Sequence, residues 1–185
     1  MSNENSLTRW KEDTIKNCGS YYNSGLIDYL RRYPIESGVI KSNIIKPDVI
    51  EEPDSTKSDS TDEIIGYCLS FGIKLDFDKI YLSEDRFNKK FRSALEKKDI
   101  KDIESELERI KKIPYSKLVD MIGQSTVDHE MYHAIGDYEG KNFSEKKAID
   151  FQRKIAMNRR FVDRDWHTFL HVVINEYFDP YYKEK

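Results

Sequence analysis

Residues 127–138 read VDHEMYHAIGDY, and this stretch predicts the central helix of the fold. Its apolar side chains recur at helical spacing and form one stripe, made of Val127, Met131, Ala134, Ile135 and Tyr138. His129 and His133 fall on nearly the opposite side of that helix. We therefore expect a helix from about residue 116 to 138, with the two histidines facing a cleft rather than the main core.

The two histidines have the spacing of a metal site. Residues four apart on a helix lie one turn apart on one face, so His129 and His133 can reach the same ion. Glu130 falls beside them, where a carboxylate can take a proton from a water bound to the ion. The pattern predicts a Zn²⁺ site with Glu130 as the catalytic base. The alternative is a pair of ordinary helical histidines, and the nearby acidic residues, Asp128 among them, would most simply solvate the helix.

His129-Glu130-Met131-Tyr132-His133 resembles the HExxH motif of the zinc metallopeptidases called zincins. Residues 145–151, EKKAIDF, look like the Glu-x-x-Ala-x-x-Phe pattern of small cytosolic members such as the ImmA/IrrE-like group. The resemblance covers about residues 125–156. It implies an α+β fold that is mostly helical, a minimal zincin-like domain with a small antiparallel sheet and an active-site helix bearing the motif.

The resemblance offers Glu145 and Asp150 as candidates for a third zinc ligand. On a helix from residue 145, Glu145 projects near the buried face and Asp150 projects nearly opposite, which favours Glu145. Glu145 could instead be an acidic residue that stabilises a helix start after Ser144. His167 and His171 form a second pair one turn apart, on the edge of an apolar helix face. Packing is the simpler role there, and a metal, oxyanion or outer-shell role for His167, His171 or Asp150 stays open.

The rest of the chain predicts mostly helix. Two helices are expected within residues 1–45, which form a helical N-terminal segment and a possible recognition part. Residues 46–62 are rich in Pro, Ser and Asp and predict a linker or long loop. Residues 63–185 would form the zincin-like metal-binding domain, and a helix that starts at Ser60, in the end of the loop, would lead into it and end at Gly72. Short strands would follow at residues 73–83, then a helix over 85–113 and two more near 145–160 and 163–178.

Composition narrows the classes of function. The chain has 185 residues, 31 basic and 34 acidic, and a net charge of −3, so a basic field for nucleic acid is missing. Its two cysteines, Cys18 and Cys68, suggest neither a disulfide framework nor a cysteine zinc site. No apolar run predicts a membrane span or an export signal, so a cytoplasmic protein is expected.

These features together predict a zinc-dependent metallopeptidase that hydrolyses peptide bonds of an intracellular protein or peptide substrate. Two alternatives stay open. One is a non-catalytic interaction module in which a fully ligated zinc serves only stability, and the other is an interaction protein whose motif is vestigial.

Overall fold

The protein is described by a computed structural model, which covers residues 3–18, 22–38, 66–69, 72–76, 104–141 and 144–178. Helices make up most of these residues. In chain order they are α1 (Asn3–Cys18), α2 (Ser24–Arg32), α3 (Glu104–Ile110), α4 (Tyr115–Glu139), α5 (Glu145–Arg159) and α6 (Asp165–Phe169), and α6 continues as a π-helix over Leu170–Phe178. Within the described ranges, no helix is both long enough and apolar enough to cross a membrane.

A long helix, α4, is the centre of the fold. It packs against α1, α2, α5 and the sheet, and from Met121 to Met131 every residue is buried. Neighbours on several sides explain why its burial extends beyond the apolar stripe. Four members of that stripe are at most 1% exposed, whereas Tyr138 is 43% exposed near the C-terminus of the helix. The helix ends at Gly140, whose φ of 63° is a left-handed conformation that favours glycine.

The N-terminal helices belong to the same hydrophobic core. The inner face of α1 carries Leu7, Trp10 and Cys18, all at most 3% exposed. In α2, the Asn23 side chain accepts a hydrogen bond from the backbone N–H of Leu26 at 2.9 Å, which caps the helix start. Both predicted helices are confirmed. The division of the chain at residues 45 and 62 remains a prediction, since 39–65 lie outside the described residues.

The sheet is small and mixed. Its three strands are β1 (Ile35–Ser37), β2 (Gly66–Leu69) and β3 (Gly72–Leu75), in the order β1-β3-β2. The β1 strand pairs in parallel with β3, and β2 pairs antiparallel with β3. The predicted purely antiparallel sheet is therefore not what forms.

The helix predicted from Ser60 to Gly72 is wrong over the part of that range that the structure describes. Residues Gly66–Leu69 are a strand, because their backbone pairs with β3, with Cys68 opposite Ile73. The predicted strand around Ile73 and Leu75 is confirmed as β3. A second strand near residue 80, and most of the helix predicted over 85–113, lie outside the described residues.

Candidate metal centre

The central helix α4 places the two histidines one turn apart at a partly open edge. His129 is 5% exposed, and the side chain of His133 is 20% exposed. Their rings lie 5.1 Å apart between centroids, and the two Nε2 atoms are 3.3 Å apart. Both rings thus point the same nitrogen towards one location. The prediction that both histidines face a cleft is only partly right. His133 reaches solvent, but His129 is buried by α5.

Glu145, the first residue of α5, completes the group. Its Oε2 lies 2.8 Å from His129 Nε2, and its Oε1 lies 3.5 Å from His133 Nε2. One ligand atom from each of the three residues falls within 4.8 Å of the other two, so the group could hold a metal ion. Zinc with nitrogen and oxygen ligands at about 2.0–2.1 Å in a tetrahedron separates neighbouring ligand atoms by about 3.3 Å. The separation of 3.3 Å between the two Nε2 atoms matches that spacing, whereas the 2.8 Å between His129 Nε2 and Glu145 Oε2 is a hydrogen-bond distance.

The charges at the site favour a cation between these side chains. Burial alone lowers the pKa of His129, but a hydrogen bond to Glu145 and the charges of Glu130 and Glu145 raise it on balance. Burial raises the pKa of Glu145, and hydrogen bonds with both histidines outweigh it and hold that pKa well below its usual range. A carboxylate facing two ring nitrogens needs positive charge, which either a proton or a metal ion supplies.

Glu130 lies beside the group but is not one of its three members. It is 6% exposed, and its charge acts on His129, which is the neighbouring residue in α4. No fourth His, Cys, Asp or Glu joins the group among the residues that the structure describes. The arrangement therefore offers three ligands, with a carboxylate next to them.

Near the histidines, polar groups of α4 also form hydrogen bonds with α5. Gln152 is 2% exposed, and its Oε1 lies 3.2 Å from His129 Nδ1. The Gln152 Nε2 donates to the backbone oxygen of Ser125 at 2.8 Å and to Ser125 Oγ at 3.1 Å. Sequence reasoning missed Gln152. The available signal was a polar residue seven positions after Glu145, on the face of α5 that also buries Ala148 and Ile149.

Three other candidates lie outside the group formed by His129, His133 and Glu145. Asp150 is exposed and forms an ion pair with Arg153 at 2.8 Å, on the outer side of α5. His167 and His171 contact each other edge to face, with ring centroids 4.5 Å apart. Neither histidine contributes an atom to the group formed by His129, His133 and Glu145. Their possible roles in supporting chemistry remain predictions.

Asp128, directly before His129, does not solvate the helix. It is fully buried, because Arg159 of α5 binds both of its carboxylate oxygens, with Nη2 at 2.8 Å from Oδ1. Thr14 of α1 donates to Asp128 Oδ1 at 2.7 Å, and Asp13 accepts from Arg159 Nε at 2.7 Å. The prediction that Asp128 solvates the helix was therefore wrong. The local sequence could not reveal its partners, because they lie far away in the chain. These contacts among Asp13, Thr14, Asp128 and Arg159 tie α1, α4 and α5 together, with Asp13 as the partly exposed member of the set.

In comparisons with known proteins, no family model matches the chain, and searches of the curated proteins and of the solved structures return no match. Nothing in these comparisons identifies a zincin.

Proposed function

We propose that this protein is a zinc-dependent peptidase in which His129, His133 and Glu145 hold the ion and Glu130 is the general base. The observation that carries the proposal is the convergence of three ligand atoms with no fourth His, Cys, Asp or Glu among the described residues. Catalytic zinc sites have three protein ligands and leave one position for water or substrate. Two imidazoles and a carboxylate are also a ligand set that suits zinc.

Access to the group agrees with an open site. The Glu145 side chain is 52% exposed and the His133 side chain is 20% exposed, so the third and second ligands lie at the surface. Bound zinc supplies a Lewis acid that polarises a carbonyl and lowers the pKa of water. The Glu130 carboxylate would accept a proton from the attacking water and return it to the leaving amine. The proposed substrate is a peptide segment of an intracellular protein.

One observation favours the alternative of a zinc-stabilised module without catalysis. The ligands come from α4 and α5, two helices that build the core, so an ion shared between them would also fasten the fold. The coordination number separates the two proposals. A structural site needs a fourth protein ligand, whereas a peptidase needs an exchangeable water.

The test compares wild type with Glu130→Gln, which keeps the size of the side chain and removes the base. Zinc content, thermal melting and cleavage of a fluorogenic peptide mixture and of unfolded proteins would be measured. We expect wild type to bind about one zinc per chain and cleave, and Glu130→Gln to keep the zinc and the melting temperature while losing roughly 10²-fold or more of the rate.

The double variant His129→Ala/His133→Ala is the control, which should neither bind zinc nor cleave. Cleavage that persists unchanged in Glu130→Gln would overturn the mechanism. A zinc-loaded wild type that has four protein ligands by X-ray absorption, and cleaves nothing, would favour the structural alternative.

A further inference from the structure

We propose that Gln152 is a positioning residue that holds the His129 ring with Nδ1 protonated, so that Nε2 presents its lone pair to the metal ion. This inference rests on the proposed zinc site and not on the proposed peptidase activity. It concerns a residue that donates no ligand atom itself, and it follows from the directions of four hydrogen-bonding groups.

The orientation of the Gln152 amide is fixed by Ser125. The backbone oxygen of Ser125 can only accept, and it lies 2.8 Å from one end of the amide, so that end must be the NH₂ group. The other end is then the oxygen, which lies 3.2 Å from His129 Nδ1. Because an amide oxygen can only accept, His129 must donate through Nδ1–H to form this bond.

The consequence falls on the other nitrogen of the ring. A neutral imidazole with a proton on Nδ1 has a lone pair on Nε2, and Nε2 is the atom that faces Glu145 Oε2 at 2.8 Å and His133 Nε2 at 3.3 Å. A metal ion at Nε2 would leave the bond between Nδ1–H and Gln152 intact, so the ring would need no rotation when the ion binds.

Burial makes this contact effective. Gln152 is 2% exposed, Ser125 is fully buried and His129 is 5% exposed, so solvent does not easily replace the amide as a partner for Nδ1. Ser125 and His129 lie one turn apart on α4, and Gln152 bridges them from α5. The contact of Gln152 that orients His129 therefore also joins α4 and α5, the two helices that carry the proposed ligands.

The experiment compares wild type with Gln152→Leu and Gln152→Glu. Leu keeps a buried side chain without an acceptor, whereas Glu keeps an acceptor for Nδ1–H and loses the donor to Ser125. Zinc affinity would be measured by competition with a chromophoric chelator, thermal melting would monitor the fold, and ¹⁵N NMR of the zinc-loaded proteins would follow the His129 Nδ1–H proton.

For wild type we expect a slowly exchanging Nδ1–H on His129 in the zinc-loaded protein. Gln152→Leu should lose that signal, because no acceptor holds the ring in this orientation, and should bind zinc roughly 10–100-fold more weakly, the usual effect of removing an outer-shell partner. Gln152→Glu should keep the signal. A role in packing alone predicts that Leu performs at least as well as Glu in melting and leaves zinc affinity unchanged.

Unchanged zinc affinity and an unchanged Nδ1–H signal in Gln152→Leu would overturn the inference. A wild type that binds no zinc would overturn both this inference and the peptidase proposal. A wild type that binds zinc and loses affinity with Gln152→Leu, yet hydrolyses nothing, would support the inference and overturn the peptidase proposal alone.

Discussion

At the scale of single residues, Glu145 and Asp150 are two acids on one helix with different surroundings. Glu145 lies 2.8 Å from His129 Nε2, whereas Asp150 contacts Arg153 on the exposed side. We expect Glu145→Ala to weaken zinc binding by more than the roughly 10–100-fold loss that an outer-shell change causes. Asp150→Ala, the matched control, loses only an exposed ion pair and should leave zinc affinity unchanged. Chelator competition measures both, and equal losses would contradict the assignment of Glu145.

A second residue with a defined expectation is Cys18, which is 1% exposed. Burial raises the pKa of its thiol to about 11, and the charge of Asp128 adds to the effect. Since the thiolate is the reactive form, its fraction at pH 8 is on the order of 10²-fold below that of an ordinary cysteine. In a Cys68→Ser background, we expect alkylation by iodoacetamide to be at least that much slower in the folded protein than in urea.

The raised pKa of Cys18 also predicts how stability and the rate of thiol labelling change with pH. The raised folded-state pKa stabilises the protein below the pKa of an unfolded thiol, near 8.5, and that contribution is lost as the pH rises towards 11. Labelling of folded Cys18 should therefore accelerate with pH over that interval. Rapid labelling at pH 8 in the folded Cys68→Ser variant would show that the thiol is accessible and would contradict the prediction.

At the scale of elements, the close approach of α1 to α4 depends on Gly123. A Cβ atom at this position would lie 2.6 Å from Trp10 Cζ3 and 2.7 Å from Cζ2, far inside van der Waals contact. The Trp10 indole cannot easily move, because its Nε1 donates to Asp120 at 2.8 Å. Alanine gains about 1 kcal/mol of helix propensity over glycine, and overpacking costs typically 1–3 kcal/mol.

We expect Gly123→Ala to lower the free energy of unfolding by about 1 kcal/mol, the overpacking cost less the gain in helix propensity, measured by urea denaturation. Phenylalanine at position 10 removes the part of the ring that the new methyl group would meet. Gly123→Ala should then be neutral or stabilising in a Trp10→Phe background, and a double-mutant cycle would report the coupling. The same loss in both backgrounds would mean that Trp10 does not limit the approach of the helices.

The helices and strands also show which parts of the fold could be predicted from the sequence. The helix bearing His129 and His133, and the helix that begins at Glu145, follow from local periodicity and agree with α4 and α5. Local spacing failed at residues 66–69, where the backbone pairs with the distinct strand β3 to form strand β2.

Long-range contacts explain the other misses at the site. The burial of Asp128 depends on Arg159, 31 residues later, and on Thr14, 114 residues earlier. Gln152 acquires its role only because α5 packs beside Ser125 and His129. The residue pattern of one helix reveals the candidate ligands on that helix. It does not reveal which other helix buries or orients them.

At the scale of the whole molecule, the proposed zinc binding should be coupled to folding, because the three proposed ligands lie on two core helices. An ion that binds only the folded state stabilises it by about 2.7 kcal/mol at a free concentration 100-fold above the dissociation constant. For a chain of this size that corresponds to a rise in melting temperature of roughly 5–10 °C. Differential scanning calorimetry with zinc, and then with excess chelator, measures the rise and its reversal.

The double variant His129→Ala/His133→Ala is the control for this coupling, and its melting temperature should not respond to zinc. An equal rise in the variant would place the ion elsewhere on the chain. No rise in wild type would mean that the group does not bind zinc under those conditions, against the proposed centre.

The contact between Trp10 and α4 also gives the molecule an internal optical reporter. The chain has two tryptophans, Trp10 and Trp166, which are 1% and 8% exposed and lie in separate surroundings. Trp166 stacks near the Arg159 guanidinium, 4.6 Å from its ring centroid, while Trp10 is enclosed by α4. A Trp166→Phe variant would leave Trp10 as the one tryptophan, and its emission should be blue-shifted while α1 is docked and should move to the red when α1 separates from α4. The N-terminal helix can thus be followed during unfolding without any added label.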